Sequence, residues 1–399
     1  MKPFSFYPLA GIDNASGDDA ELQVSGDSRR NYLRDAVNVD ISGNGHARMR
    51  AGLRKLVDTV LNSLWQSPLH GDVFAQLGDK WVKVDDRTSW ATEPLATIGE
   101  GPVNHLVLNN VVLAAGSAGI FQYDGQRAQK FTIDTPPAPL VAAGDDGALD
   151  KGSYGVALSW LRNGMESSVS RMTRCEVGQN GQLAITLPMC LDPGVTHVRL
   201  YVTRPDGTEL RRVEDYHISK HMVGVSLLPK DGAAPQFQHL EPMPTGIYFA
   251  QWRGRLLTAR ANVLRFSEPM AYHLHNPLRA FVQMPQRITF VQPVDGGIWV
   301  GQVDHVAFLS GTSLEDLQLQ RKSAKTPVPG SAVVLDAEVV GTEISAGGAQ
   351  VAAWLAENGY VIGTASGSVL ECNAGRLKGI AGNKASTVVF GKRLTTAVI

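Results

Sequence analysis

The stretch Asn109-Asn-Val-Val-Leu-Ala-Ala-Gly-Ser-Ala-Gly-Ile-Phe-Gln-Tyr-Asp-Gly125 alternates short apolar strands with turns of Asn, Gly and Asp. Those turn residues supply the positive φ of tight hairpins, and the flanking Val, Leu, Ile and aromatics suit half-buried strands. The same order recurs at residues 253–267, 295–310 and 357–371, and more weakly at 71–84. The 253 and 295 copies lie about 42 residues apart and the 71 and 109 copies about 38, near the period of a four-stranded propeller blade. The longer step to the 357 copy predicts an extra loop or a degenerate copy between. Convincing helices are hard to find, so the chain reads as all-β, with separate hairpins as the alternative to radial repetition.

Between the 109 and 253 copies lie about 144 residues, one period plus roughly 100. The excess opens on a proline break, Thr135-Pro-Pro-Ala-Pro-Leu140, which excludes helix and central strand. It then alternates well, with Tyr154, Val156, Leu158 and Trp160 on one strand face and Val198, Leu200 and Val202 on another. Short strands and turns at this density predict an immunoglobulin or fibronectin type III-like sandwich. A second break, Glu241-Pro-Met-Pro-Thr-Gly246, returns the chain to the repeats. The expected layout is a first part of a propeller at 1–134, an inserted sandwich at 135–245 and the rest of the propeller at 246–399. At about 40–45 residues per blade, the remainder makes six or seven blades.

The totals fit such a body. The 399 residues allow several domains or one large repetitive one, and 43% hydrophobic with 19% charged residues describes an ordinary folded chain. The 41 glycines and 21 prolines are scattered singly between apolar runs, as many turns require. With 37 basic and 38 acidic residues, attraction to nucleic acid or an anionic membrane is not a whole-chain property. Cys175, Cys190 and Cys372 have neither disulfide-framework nor zinc spacing and read as small hydrophobes in a reducing compartment. The opening residues lack a signal-peptide pattern, and no stretch reaches the roughly 18 apolar residues of a membrane span.

Chemistry-bearing motifs are sparse. Nucleophile elbow, zinc-protease, P-loop and dinucleotide fingerprints are absent from the sequence. His273-Leu-His275 puts two imidazoles at alternate strand positions, but Asn276-Pro277 follows and no third ligand stands out, so no metal is expected. Asp18-Asp19 and Asp145-Asp146 lack calcium-loop spacing and read as solvated turns. Arg29, Arg30 and Arg34, then Arg48, Arg50, Arg54 and Lys55, form basic clusters with one aromatic at hand, Tyr32. Asp27, Asp35 and Asp40 offset them, so surface or subunit contacts are expected rather than a nucleic-acid face. No catalytic, cofactor-binding or metal-binding residue is nominated, and the chain reads as a non-enzyme.

One segment carries a specific likeness. Leu33 to Leu56, preceded by Gly11-Ile-Asp-Asn14, resembles the opening of tail nozzle, hub or packaged-DNA stabilisation proteins of short-tailed double-stranded DNA bacteriophages. The matching residues are Ala36, Asn38, Val39, Asp40, Gly45, Arg50 and Gly52; Ala51 departs from the proline the family often carries. Gly152-Ser-Tyr154, Gly164-Met-Glu-Ser167 and Arg199-Leu-Tyr201 look like the sandwich insertions of such proteins. The resemblance implies a virion tail subunit, assembled in the host cytoplasm and repeated as a homo-oligomeric ring, often a hexamer, around the DNA exit channel. It would contact the tail adaptor above and fibre or plug proteins below. DNA would pass through during ejection without specific binding, which a near-neutral wall favours because each neutralised phosphate adds retention.

Two other classes compete. A propeller binding protein recognising a host-surface glycan or protein would show exposed aromatics in shallow loop pockets and form no ring. A propeller hydrolase or lyase would converge several carboxylates or histidines at the channel mouth.

Overall fold

The computed structural model describes residues 8–24, 30–52, 54–390 and 393–399. It is nearly all β. Five consecutive four-stranded antiparallel sheets carry the repeats. Their second strands open at Val73, Val111, Arg255, Gly297 and Val351. The quoted stretch forms the turn and two strands expected of it: Asn109 and Asn110 both have positive φ (48° and 61°), and Val111–Gly116 and Gly119–Tyr123 pair antiparallel.

Each sheet packs face to face on the next through its own apolar cluster. Phe74 and Trp81 of the first meet Val112 and Tyr123 of the second. Leu113 and Ile120 of the second meet Leu256 of the third. Leu257 and Phe266 of the third meet Ile298 and Val300 of the fourth. Trp299 and Phe308 of the fourth meet Trp354 and Val361 of the fifth. A hairpin, Ala385–Phe390 with Arg393–Val398, covers the fifth sheet through Ala385 and Leu394. Lys384 beside it lines a crevice with Asn62 and Gln76 of the first sheet, which brings the series back to its start. This is a β-propeller. Among the described residues its blades number five with four strands each, plus a two-stranded sixth, so the count of six or seven is met at its lower end only when the hairpin is included.

The 357 copy explains the long step. Its turn joins Val351–Ala356 to Gly359–Gly363, the second and third strands of its blade, whereas the 109, 253 and 295 turns join first to second. A loop at 336–350 with two short helical turns, Ala337–Val340 and Ala346–Gly348, also lies inside this blade. Blade contact is tight there: a Cβ on Gly363 would sit 2.4 Å from the Trp299 ring. Gly363→Ala is expected to cost about 1–3 kcal/mol by overpacking. A denaturant midpoint unchanged from wild type would show that this interface is slack.

Residues 140–225 form two sheets around one core. Leu140–Leu149, Gly181–Thr186 and Met222–Val225 make the smaller; Gly152–Arg162, flanked by Met165–Glu166, Thr173–Val177, His197–Thr203 and Leu210–His217, makes the larger. Val156, Leu158 and Trp160 lie opposite Val202, Leu200 and Val198. The two alternating sets read from the sequence therefore line one core from neighbouring strands. Asp145-Asp146 corrects an expectation. The pair sits in a bulge of Leu140–Leu149, with Asp146 at φ 67°, rather than in a turn.

Among the described residues of the first sixty, the strands make small sheets instead of blades: Leu9–Ile12, Gln23–Val24 and Arg30–Leu33, then Val39–Ile41 with Ala47–Met49. The phage-like motif is this second hairpin. Asp40 accepts from Arg50 at 3.1 Å, and the Arg50 amide donates to the Asn38 carbonyl at 2.9 Å. Gly45 (φ 81°) lets its carbonyl take the Leu9 amide at 2.8 Å, where a Cβ would lie 2.7 Å from the Leu9 nitrogen. Gly52 has open space around it and nothing in the structure explains it. Asp13 is fully buried and ties this region to the far end of the chain. It accepts from the Ala15 and Ser16 amides, the Ser16 hydroxyl and Arg376 Nη1 (3.0 Å), and Asn14 exchanges two hydrogen bonds with Lys378.

Candidate functional site

The most elaborate polar cluster lies where the sandwich meets the third blade. Period two puts Arg199 and Tyr201 on the face opposite Val198, Leu200 and Val202. Glu166, buried on the short strand beside them, receives both. Its Oε1 accepts from Tyr201 and Ser159 at 2.6 Å each, and its Oε2 from Arg199 Nη1 at 2.7 Å. Arg199 also grips Asp215 through Nε and Nη2 (2.8 and 3.0 Å), and Arg212 adds a 2.7 Å bond to Asp215. Burial would raise the Asp215 carboxyl, but the two guanidiniums outweigh it and hold it below the usual range. Burial and the Glu166 bond push the Tyr201 phenol up, so it stays protonated as a donor. Two carboxylates and two guanidiniums cancel, leaving a cluster without net charge.

A crevice of about 510 Å³ opens beside it, lined by Asn163, Glu166, Arg199, Gln236, Phe237 and His273 among others. His273 comes from the blade side and is only 5% exposed. Its Nε2 lies 2.8 Å from the Glu166 carbonyl, which can only accept, so Nε2 carries the proton. Burial first, and Arg162 nearby, hold the ring's pKa below the ordinary histidine value. It is therefore neutral, with Nδ1 a bare acceptor that has no partner among the described residues. Beneath, Arg162 is wholly buried, with Nη1 2.8 Å from Asp192 and Nη2 2.5 Å from the Phe131 carbonyl at the end of the second blade. This cation spans sandwich and propeller.

The other sequence candidates have structural employment. His275 bonds the Phe266 carbonyl at 2.8 Å, away from the Glu166 carbonyl that holds His273. No group of three potential metal ligands occurs among the described residues. Asp18 caps a short helix at Asp19–Leu22, and Asp19 pairs with Arg34 at 2.6 Å. Lys55 pairs with Asp58, and Tyr32 carries the Arg376 guanidinium 3.9 Å above its ring. Arg29 and Asp27 lie outside the described residues, as does the side chain of Arg30. Cys175 and Cys190 are half-buried and Cys372 exposed, all three free thiols. No helix among the described residues is long and apolar enough to cross a membrane.

Sequence reasoning quoted Glu166 and Arg199 only as parts of a likeness and assigned them no role. The available signal was a charged residue alternating with Tyr on a strand whose other face is apolar.

No family model matches the sequence, and no curated protein matches it. Similar solved structures include the BBS1 N-terminal domain in complex with ARL6 (11% identity, 85% of this chain and 90% of that one, TM-score 0.33). The N-terminal domain of Nup159 is similar at 10% identity over 98% and 88%, with TM-score 0.29. Sqt1 of Saccharomyces cerevisiae is similar at 9% identity over 78% and 96%, with TM-score 0.21. None of these three is a phage tail protein.

Proposed function

We propose that the chain is a structural, non-catalytic subunit of a bacteriophage tail, forming a homo-oligomeric ring around the DNA exit channel between adaptor and distal parts. The observation that carries the assembly is where large apolar side chains stay exposed. Val37, Met49, Leu56 and Val60 near the start are 63–81% exposed, and Val388 and Phe390, on one face of the last hairpin, are 57% and 82%. A third patch rims the sandwich: Leu140 and Met222 flank Thr186 in register, with Met189 close in sequence. Separate apolar patches on one subunit suit a heterologous contact, which closes into a ring when its rotation allows. The phage setting is supported by the motif from Ala36 to Gly52, whose hairpin is one of these patches.

Light scattering and electron microscopy of the purified chain are expected to find rings, and a map of the native particle to place them on a tail. Phe390→Asp, on a solvent-facing side chain, should weaken assembly by at least about tenfold, the equivalent of about 1.4 kcal/mol. A monodisperse monomer at high concentration, which no tail protein recruits, would defeat the proposal.

A further inference from the structure

We infer that the crevice between the sandwich and the third blade binds a neutral polyhydroxylated ligand, a saccharide unit. The site lies within one chain and does not depend on the ring. Its volume, about 510 Å³, falls within the range of small-molecule pockets.

Three features select the ligand class. First, the charges beside the crevice are cancelled. Glu166 is bound by Arg199, Tyr201 and Ser159, and Asp215 by Arg199 and Arg212, so neither an anion nor a cation finds an open counter-charge there. Second, the unsatisfied groups are neutral and of both kinds. His273, a residue of the lining, carries Nδ1 as a bare acceptor, while the amides of Asn163 and Gln236, without side-chain partners among the described residues, each offer donor and acceptor. A hydroxyl donates and accepts at one atom, so a polyol matches that mixture where a carboxylate or ammonium satisfies only half of it. Third, Phe237 stands edge-on to His273 with ring centroids 6.4 Å apart, and Met165 and Met270 also line the crevice. They supply the apolar surface against which the C–H face of a sugar ring packs.

A ligand hydroxyl donating to His273 Nδ1 would give that acceptor a direct bond in place of water. The Nε2 bond to the Glu166 carbonyl fixes which nitrogen is free. The amides sit on exposed turns, with Asn163 at φ 49°, so they reach the crevice without being buried themselves.

The experiment is ligand-observed saturation-transfer NMR on the full chain, with glucose, galactose, mannose and N-acetylglucosamine as separate probes. At least one should bind with millimolar affinity. Gln236→Ala, on an exposed side chain, and His273→Phe, which keeps ring volume but removes Nδ1, should each weaken it by about tenfold or more. Inorganic phosphate should not compete. If His273→Phe does not fold, Gln236→Ala carries the test alone. Silence from all four sugars, equal binding by the variants, or displacement by phosphate would each overturn the assignment.

Discussion

Arg162→Ala is expected to lower the unfolding free energy by about 3–5 kcal/mol, the cost of removing one partner from a buried ion pair. The Arg162 side chain is wholly inaccessible to water, and its partner Asp192 is 25% exposed. Truncation strands Asp192, leaves the Phe131 carbonyl without its donor and opens a cavity beneath Gly194, whose Cβ position lies 2.7 Å from Arg162 Cδ. Among the described residues Arg162 Nε has no partner, so the guanidinium is imperfectly satisfied. Replacing the whole group by an apolar chain of similar reach should therefore be milder: Arg162→Met with Asp192→Asn should recover much of the loss. Guanidinium titrations of the three chains give the comparison, and amide exchange at 131–135 and 188–196 locates the damage. A loss below about 1 kcal/mol for Arg162→Ala would place this pair among ordinary surface bridges and remove it as the joint between sandwich and propeller.

That joint also marks where sequence reading stops. The blades were legible because each is local: a turn such as Asn109-Asn110 and the strands it joins lie within twenty residues, and both the positive φ and the period-two burial leave marks on residue type. One strand hairpin looks like the next, however, so residue type does not reveal that the 357 copy lies one strand later in its blade. The first sixty residues hold no copy of the repeat, and blade arithmetic counted them only because it divided everything outside the sandwich by the period. The crevice was less legible still. His273 drew notice for His275 two residues away, yet it is held by the Glu166 carbonyl 107 residues earlier in the chain. A backbone acceptor carries no side-chain signature, so nothing in residue type could announce it. Arg162 reads as one arginine before an Asn-Gly turn; its burial follows from the docking of two bodies and from no local pattern.

Acid should loosen the protein in two separate steps. The upper one belongs to histidine. Trp81 Nε1 can only donate, and it lies 3.1 Å from His105 Nε2, which must therefore be bare; Trp65 stacks on the imidazole at 5.2 Å. Burial pushes the His105 pKa down to about 3. A folded value below the unfolded 6.5 means the unfolded chain takes up the proton first, so stability is full above about 6.5 and falls as pH drops toward 3, by at most about 1.4 kcal/mol per pH unit for this group. His273 and His275 act in the same direction, both lowered by burial against the raising effect of their carbonyl partners; Arg162 lowers His273 further, while Glu241 and Glu268 raise His275 and Arg265 lowers it. The lower step belongs to carboxylates held below their usual range, among them Asp13 by the Ser16 amide and Asp86 at about 2 by Thr88 and Ser89. Their contribution is present above about 4 and is lost only as pH falls through the folded values. His105→Gln keeps an acceptor for Trp81 but cannot take a proton, so it should reduce the slope between pH 6.5 and 4 to what His273 and His275 contribute while leaving the lower step in place. Denaturant midpoints followed by tryptophan fluorescence across that range separate the two, because Trp65 and Trp81 both touch His105. An unchanged slope above pH 4 in the glutamine variant would mean that the His105 ring is hydrated and titrates normally.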